Sequence, residues 1–410
     1  MTSSQPLLSI LIPTRERAHR LRYTLQTALQ PGSSPYEVII SDNDSQDGTR
    51  QVVEEFADPR IRYFNTGARL NMCDNFEFAL NQAKGRYVIA IGDDDAFIPG
   101  ALQTMAEVIE RHPASAYFWA PDSYRWPSEG KPAFGYVRAG KVQITEMDLI
   151  QIAKKSMRWG GVGYNWLPRL YHSPVSRDAL DALRERTGRV FHSTAPDVFL
   201  SYALPPLIRT ALNLGTAMTV NGISEVRPMT PGEQERDPKS AYARRTRRFF
   251  SEYSGYQMHD ILDPNDPELL NLYPDAILKS IELFPKVYQQ SDLNFSAMWA
   301  YRVTRWKYRS ILEIVRNRKA LRQDYSFRVV DFLFRTLCFN FATLRASNRL
   351  VPPSEQGRWE RLFDTVWRRI HRNVAFGTCP ENIAEFVQQF YGPQEVGHHL
   401  PLETAHMGTL

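Results

Sequence analysis

Apolar and polar positions in the first hundred residues switch repeatedly between two periods. Leu7–Ile12 (LLSILI) is a continuous apolar run stopped by Pro13, the pattern of a strand buried in a parallel sheet. From Arg17 to Leu29 the apolar positions Leu21, Leu25, Ala28 and Leu29 recur at helical spacing. Pro31, Gly32 and Pro35 then break the chain, and Glu37–Ser41 (EVIIS) reads as a second strand. A polar turn, Asp42 to Thr49, leads into a helix through Val52, Val53 and Phe56, and Arg60–Phe64 is a third strand. Met72 to Ala83 is predicted helical with Gly85 as its C-cap; Tyr87–Ile91 is a fourth strand, and Pro99-Gly100 opens a helix towards Glu110. This alternation predicts a mostly parallel α/β sheet flanked by helices, joined by right-handed crossovers. Ligands of such sheets gather at the carboxyl ends of the strands. Three polar clusters fall there: Thr14–Arg17, Asp42–Asp47 and Asp93–Asp95.

The pattern then changes. Tyr117 to about Val226 is less regular and rich in aromatic residues, Gly and Pro, as in segments that shape a cleft. Arg227 to Ser240 is a polar, Pro-containing run that reads as a linker or lid loop. From Ala241 onward helical spacing dominates, with Trp299, Trp306, Phe327, Phe332, Phe334 and Phe341 interleaved with arginines. The expected organisation is therefore an α/β domain over 1–226, with halves at 7–110 and 111–226, a linker at 227–240 and an α-helical C-terminal domain over 241–410. A chain of 410 residues is long enough for such a division, because one core rarely grows past ~250–300 residues.

Composition narrows the function classes. With 43% hydrophobic and 23% charged residues the chain reads as globular. A net charge of +5 is too mild to imply nucleic acid. Cys73, Cys338 and Cys379 lie far apart, without disulfide-framework or zinc-ligand spacing. Neither a signal peptide nor a run of ~20 apolar residues is evident, so the expected location is cytoplasmic, with the inner face of the membrane as a variant of it.

The sharpest chemical feature is Gly92-Asp93-Asp94-Asp95, directly after an apolar strand. Three adjacent carboxylates repel one another unless a cation neutralises them, and clustered oxygens suit Mg²⁺ or Mn²⁺. A solvated acidic turn is the competing reading. In Ser41–Thr49 (SDNDSQDGT), Asp44, Ser45 and Asp47 suit an Asx-rich turn and helix cap, whereas Asp42 leaves the strand directly. Pro13-Thr14-Arg15-Glu16-Arg17 follows the first strand.

Taken in order, PTRER (13–17), SDNDSQDGT (41–49), AKGRYVIAIGDDD (83–95) and Pro99-Gly100 resemble the inverting glycosyltransferases of family 2, which have the GT-A fold. The likeness is close over residues 7–110 and loose over 111–225. It implies a nucleotide-sugar donor held by Pro13, Thr14, Arg15, Asp42, Asn43, Asn75 and Asp93. It also implies a divalent metal, Mn²⁺ or Mg²⁺, at Asp93, Asp94 and Asp95, with the register among the three left open. The sequence departs from the family pattern at Glu16, at Gly92 and at Asp74–Glu77, where many relatives carry Ala-Arg-Asn; Arg69 or Lys84 is the expected basic substitute. The family takes its base from an acidic residue about a hundred positions later, at a helix start, and Asp197 fits: it follows Pro196 and precedes the apolar run Val198–Leu204. An early-helix Asp favoured by the dipole is the alternative. His192 lies in the same segment.

The expected acceptor is a glycan or lipid-linked hydroxyl, with no nucleic-acid partner. Trp159–Trp166 offers glycines beside aromatic faces, for a sugar ring or for a structural loop. The aromatic and arginine-rich stretch Trp299–Arg349 fits either peripheral membrane contact or a helical bundle with arginines at its rim. Two other functions compete: a nucleotidyltransferase, whose Gly-rich N-terminal loop is missing, and a degenerate nucleotide- or glycan-binding module.

Overall fold

The computed structural model describes residues 5–32, 35–128, 132–138, 140–224, 251–253, 256–257, 259, 269–306, 328, 330–338, 374–375, 380–391 and 403–404. Four strands form the central parallel sheet: β1 (Leu8–Thr14), β2 (Tyr36–Asp42), β3 (Ile61–Asn65) and β4 (Tyr87–Ala90). Their order is β3-β2-β1-β4, and a short β10 (Val175–Ser176) lies antiparallel on the outer edge of β4. Helices α1 (Ala18–Ala28), α2 (Thr49–Phe56) and α3 (Met72–Gln82) supply the crossovers. Because β2 and β3 extend to one side of β1 and β4 lies on the other, the loops after β1 and β4 diverge and leave a crevice between them. Thr14 and Asp93 face each other across it.

Two sequence expectations change here for identifiable reasons. Pro13 does not end β1; it pairs in register with Ser41, and the strand runs on to Thr14. The β4 ladder stops where Leu11 meets Ala90, so the missing N–H of Pro13 falls where no ladder needs it. Gly85 is not the C-cap of α3, which ends at Gln82 with Ala83 extended. A Cβ on Gly85 would come within 2.6 Å of the Ser9 backbone nitrogen, so glycine is required there for close approach to β1.

The middle of the chain is more ordered than its composition suggests. A sheet of β6 (Tyr117–Phe118), β11 (Thr210–Asn213) and β9 (Gln143–Asp148) stands beside one of β5 (Ala96–Phe97), β12 (Thr219–Ile223), β7 (Asp122–Arg125) and β8 (Phe134–Val137). Helices α4 (Ala101–Arg111), α5 (Leu149–Arg158), α6 (Arg177–Thr187) and α7 (Pro196–Ala203) pack around them.

The described parts of 241–410 share this core. The helix Leu269–Leu283 buries Ile277 and Ile281 in one cluster with Leu11, Ala90, Val198 and Leu200. The helix Ile383–Tyr391 sets Phe386 5.1 Å from the Tyr124 ring. Two short strands, β13 (Val374–Ala375) and β14 (Glu403–Thr404), pair with β8 and β9. The expected linker 227–240, together with Phe327 and Phe341, lies outside the described residues. Among the described residues no helix is long and apolar enough to cross a membrane.

Candidate active site

The β1 and β2 loops are knitted to each other before either meets the acidic run. Glu16 and Asp44 both sit at positive φ (56° and 54°), a conformation that needs support in non-glycine residues. Ser45 Oγ accepts from the Glu16 N–H at 2.9 Å, and Glu16 accepts from the Gln46 N–H at 3.2 Å. Asp47 caps two helices at once, accepting from the N–H of Ala18 at 2.9 Å and of Thr49 at 3.0 Å. Asp42 is buried and accepts from Tyr63 Oη at 2.6 Å, Asn65 Nδ2 at 3.3 Å and the Ser45 N–H at 3.0 Å. Asn43 exchanges two 2.8 Å bonds with the Leu70 backbone, which fixes the loop before α3. Asn75 is buried and accepts from Ser41 Oγ at 2.6 Å.

The three aspartates after β4 have different surroundings. Asp95 is fully buried and accepts from the Gly92 N–H at 2.5 Å, Tyr171 Oη at 2.6 Å and the Gly222 N–H at 2.7 Å, with His172 Nε2 at 3.3 Å. Burial acts to raise its pKa, but His172, Tyr171 and Gly222 prevail and hold it below the usual carboxylate range. Its lone pairs are committed to the protein. Asp93 and Asp94 instead face the crevice together. Thr14 Oγ1 donates to Asp93 at 2.7 Å, and one nitrogen of Arg17 lies 2.8 Å from Asp93 and 3.3 Å from Asp94. Burial, with Asp95 and Asp93 beside it, pushes the Asp94 carboxyl up to about 7 against the pull of Arg17. The neighbouring Asp93 raises the Arg17 guanidinium further still.

Two carboxylates thus converge on a single cationic nitrogen at the carboxyl ends of β1 and β4. This donor set fits a small hard cation, which typically takes one or two carboxylates and completes its shell with water and substrate phosphates. Among the described residues no third His, Cys, Asp or Glu joins them to close a cage, which leaves room for such ligands.

Residues 9–146 match the family described as glycosyl transferase family 2. Over this stretch, about a third of the chain, the protein is similar to glycosyltransferase family 2. Curated relatives of this family 2 domain include a Campylobacter jejuni GalNAc(5)-diNAcBac-PP-undecaprenol beta-1,3-glucosyltransferase, 33% identical over 25% of this chain and 34% of that protein. An Escherichia coli UDP-Glc:alpha-D-GlcNAc-diphosphoundecaprenol beta-1,3-glucosyltransferase is 29% identical over 24% of this chain and 38% of that protein. The chain therefore spans little more than a third of the length of these two relatives. The crystal structure of S. aureus TarS 1-349 in complex with UDP-GlcNAc aligns over 83% of this chain and 92% of that one, at 14% identity and a TM-score of 0.44.

Around the family 2 acidic run the structure brings in residues that the sequence motifs did not single out as ligand-binding. Arg17 is visible within PTRER but reads there as a helix-start residue. Tyr171 and His172 carry no motif at all. Leu170 and His172, at φ 65° and 55°, flank Tyr171, and their backbones bond Ala90 in both directions at 2.9 Å. That stitch aims the Tyr171 hydroxyl at Asp95. Arg15 pairs at 2.7 Å with Glu252, from beyond the family 2 domain. At the start of α3, Arg189 arrives from the α6–α7 connection and lies 2.6 Å from Asp74. Arg69 is paired with Glu16.

Asp197 occupies the first turn of α7, behind Pro196 at N1. Among the described residues its carboxylate has no hydrogen-bond or ion-pair partner. Its charge is felt by two phenols whose hydroxyls are 3.4 Å apart, Tyr164 and Tyr273. Both are held above the usual range, Tyr164 by burial and Asp197, Tyr273 by Tyr164, burial and Asp197. Arg169 lies 5.6 Å from the Tyr164 ring and 5.8 Å from the Tyr171 ring, and so sits between a phenol that feels the charge of Asp197 and the phenol that bonds Asp95. Burial pushes the pKa of the His192 imidazole down; the ring bonds the Arg189 carbonyl at 3.1 Å and opens onto a cavity of about 300 Å³. Cys73, Arg189, Glu252, Tyr256 and Lys279 also line that cavity. In the Trp159–Trp166 segment, Gly160 and Gly161 serve packing: a Cβ on Gly160 would meet the Met298 nitrogen at 2.3 Å, and one on Gly161 would meet Ile277 at 2.6 Å. Trp166 is half exposed.

Proposed function

We propose that this chain is a metal-assisted, inverting glycosyltransferase that moves a sugar from a nucleoside-diphosphate donor to a hydroxyl of a glycan or lipid-linked acceptor in bacterial glycan assembly. The observation that carries this reading is the pair Asp93–Asp94, sharing one cationic partner beside Thr14 at the mouth of the β1/β4 crevice. Mn²⁺ or Mg²⁺ held by Asp94 and Asp93 would supply positive charge against the departing diphosphate. Asp95 keeps those two carboxylates in place from behind. Thr14, Arg15, Asp42 and Asn43 line the nucleotide end, where Asp42 and Asn43 fix the loops that bracket base and ribose. Arg17, on Asp93 and Asp94, is the cation placed to meet the diphosphate. The name of the Escherichia coli relative, which prints UDP-Glc, supports a donor of the nucleoside-diphosphate class, and both names support an acceptor on a diphosphate lipid.

Asp197 is the proposed base. Its carboxylate is unpaired among the described residues, and its charge is felt by Tyr164 and Tyr273. A free carboxylate at that point can take the proton from an acceptor hydroxyl as the hydroxyl attacks the anomeric carbon. Asp197→Asn preserves shape and should leave donor affinity nearly unchanged while transfer falls roughly 10²–10⁴-fold. Steady-state transfer assays with donor titration test this; transfer near the parent rate would move the base to another residue.

A further inference from the structure

The acidic run is a turn: the Asp95 N–H closes onto the Gly92 carbonyl at 3.3 Å, with Asp93 and Asp94 between them. The peptide unit after each aspartate is rigid, so the direction of its carbonyl fixes ψ of that aspartate and with it where the carboxylate points. Two of these carbonyls are held from outside the turn by side chains. Thr24 Oγ1, on α1, donates to the Asp95 carbonyl at 2.8 Å. Trp126 Nε1, directly after β7, donates to the Asp94 carbonyl at 2.9 Å in a buried bond.

The indole is itself held in place. Trp126 is buried, and its backbone N–H bonds the carbonyl of Ile223, the last residue of β12, at 3.0 Å. The Tyr124 ring stands edge-on at 5.5 Å, the Tyr23 ring lies at 5.9 Å and the Arg20 guanidinium at 5.6 Å. A Cβ on Gly222 would come within 1.7 Å of the Asp94 carbonyl oxygen and 2.9 Å of Trp126 Nε1, so β12 closes on the same bond and only glycine leaves room for it. An indole N–H donates and never accepts. It is therefore satisfied only by a carbonyl turned towards it.

The two held carbonyls belong to aspartates with different needs. Thr24 acts on Asp95, whose carboxylate oxygens are already bonded to the protein. Trp126 acts on Asp94, which is buried and repelled by Asp93 and Asp95. A repelled carboxylate swings away from its neighbours unless its backbone is fixed.

We propose that Trp126 is a positioning residue for the cation site: its indole N–H fixes the peptide unit after Asp94 and so keeps the Asp94 carboxylate beside that of Asp93, where a divalent ion needs both. Trp126 touches neither the cation nor the donor. This inference rests on the reading of Asp93 and Asp94 as the ligands of the cation.

The test is calorimetric titration of the full chain with UDP, GDP, CDP and dTDP at stepped Mn²⁺ concentrations. For each nucleotide that binds, the Mn²⁺ concentration giving half-maximal binding is read beside the melting temperature. Trp126→Phe keeps a ring among Tyr23 and Tyr124 and removes the N–H. It should raise the Mn²⁺ midpoint at least about tenfold, because groups that orient a metal ligand typically account for a factor of roughly 10–100 in affinity. Tyr124→Phe is the control for stability alone: it loses the 2.6 Å bond to the Pro380 carbonyl but keeps the ring against the indole. It should melt lower and leave the Mn²⁺ midpoint at the parent value. Gly222→Ala crowds the Asp94 carbonyl from β12 and should also raise the midpoint; it decides the matter if Trp126→Phe does not fold. An unshifted midpoint in Trp126→Phe, or an equal shift in Tyr124→Phe, overturns the inference and leaves the reading of the site intact. A parent that binds none of the four nucleotides, or binds them regardless of Mn²⁺, overturns that reading and the inference together.

Discussion

Three consecutive aspartates with the same side chain have three different tasks, set by what each one faces. Asp95 has its oxygens committed to Gly92, Tyr171, Gly222 and His172, while Asp94 sits in a crowded acidic pocket relieved chiefly by Arg17. The two should therefore respond oppositely to substitution. Asp94→Ala removes a repelled, desolvated charge and should leave the melting temperature unchanged or raised while metal-dependent nucleotide binding is lost. Asp95→Asn places an amide N–H₂ against groups that are themselves donors, and should cost about 1–3 kcal/mol of stability. Chemical denaturation of both variants reads the difference. Equal destabilisation by the two would mean that the division of labour is misassigned. The residue register was illegible in the sequence because Asp93, Asp94 and Asp95 are chemically identical. The partners that tell them apart, Tyr171 and His172 in one loop and Gly222 in β12, lie 76 or more positions away in segments without a motif.

Among elements, those held by local signals were readable and those held by distant contact were not. Strands β1 to β4 and helices α1 to α4 follow from apolar runs and 3.6-residue spacing, within one or two residues at each end. The role of Gly85 was not readable, because its close contact is with Ser9, across the sheet rather than along the chain. The same holds for Gly160 and Gly161. Their flanking tryptophans leave a sugar-stacking loop and a structural loop equally open, whereas their positive φ and the approach of Met298 and Ile277 from the helices Phe295–Trp306 and Leu269–Leu283 show a docking notch. Gly160→Ala should destabilise the protein by about 1–3 kcal/mol, as a strained φ of 70° and a backbone clash with Met298 combine. Thermal melting checks this; a variant as stable as the parent would mean the helix can retreat without loss.

At the scale of the whole molecule, the candidate site is assembled from pieces far apart in sequence. Glu252 meets Arg15, Tyr273 stands with Tyr164 beside Asp197, and Ile277 and Ile281 share a core with Leu11 of β1. Residues 1–226 therefore include every candidate catalytic group but not the surface that covers α7. Expressed alone, that fragment should expose the α7 face and melt without a cooperative transition, whereas the full chain should show a single calorimetric transition. A fragment that folds cooperatively would show that the C-terminal segments are an independent unit. The sequence suggested such a unit because helical spacing reports the presence of helices and is silent about which core they enter.

The central claim is that Asp93 and Asp94, with the β1 and β2 loops, form a cation-assisted site for a nucleoside diphosphate. Isothermal titration of the full chain with UDP, GDP, CDP and dTDP, each in Mn²⁺ and in EDTA, tests it most directly. The account predicts that at least one of the four binds in Mn²⁺, that chelation abolishes the binding, and that Asp94→Ala behaves in Mn²⁺ as the parent does in EDTA. Binding of none of the four, or binding that is indifferent to chelation and to Asp94, would contradict it.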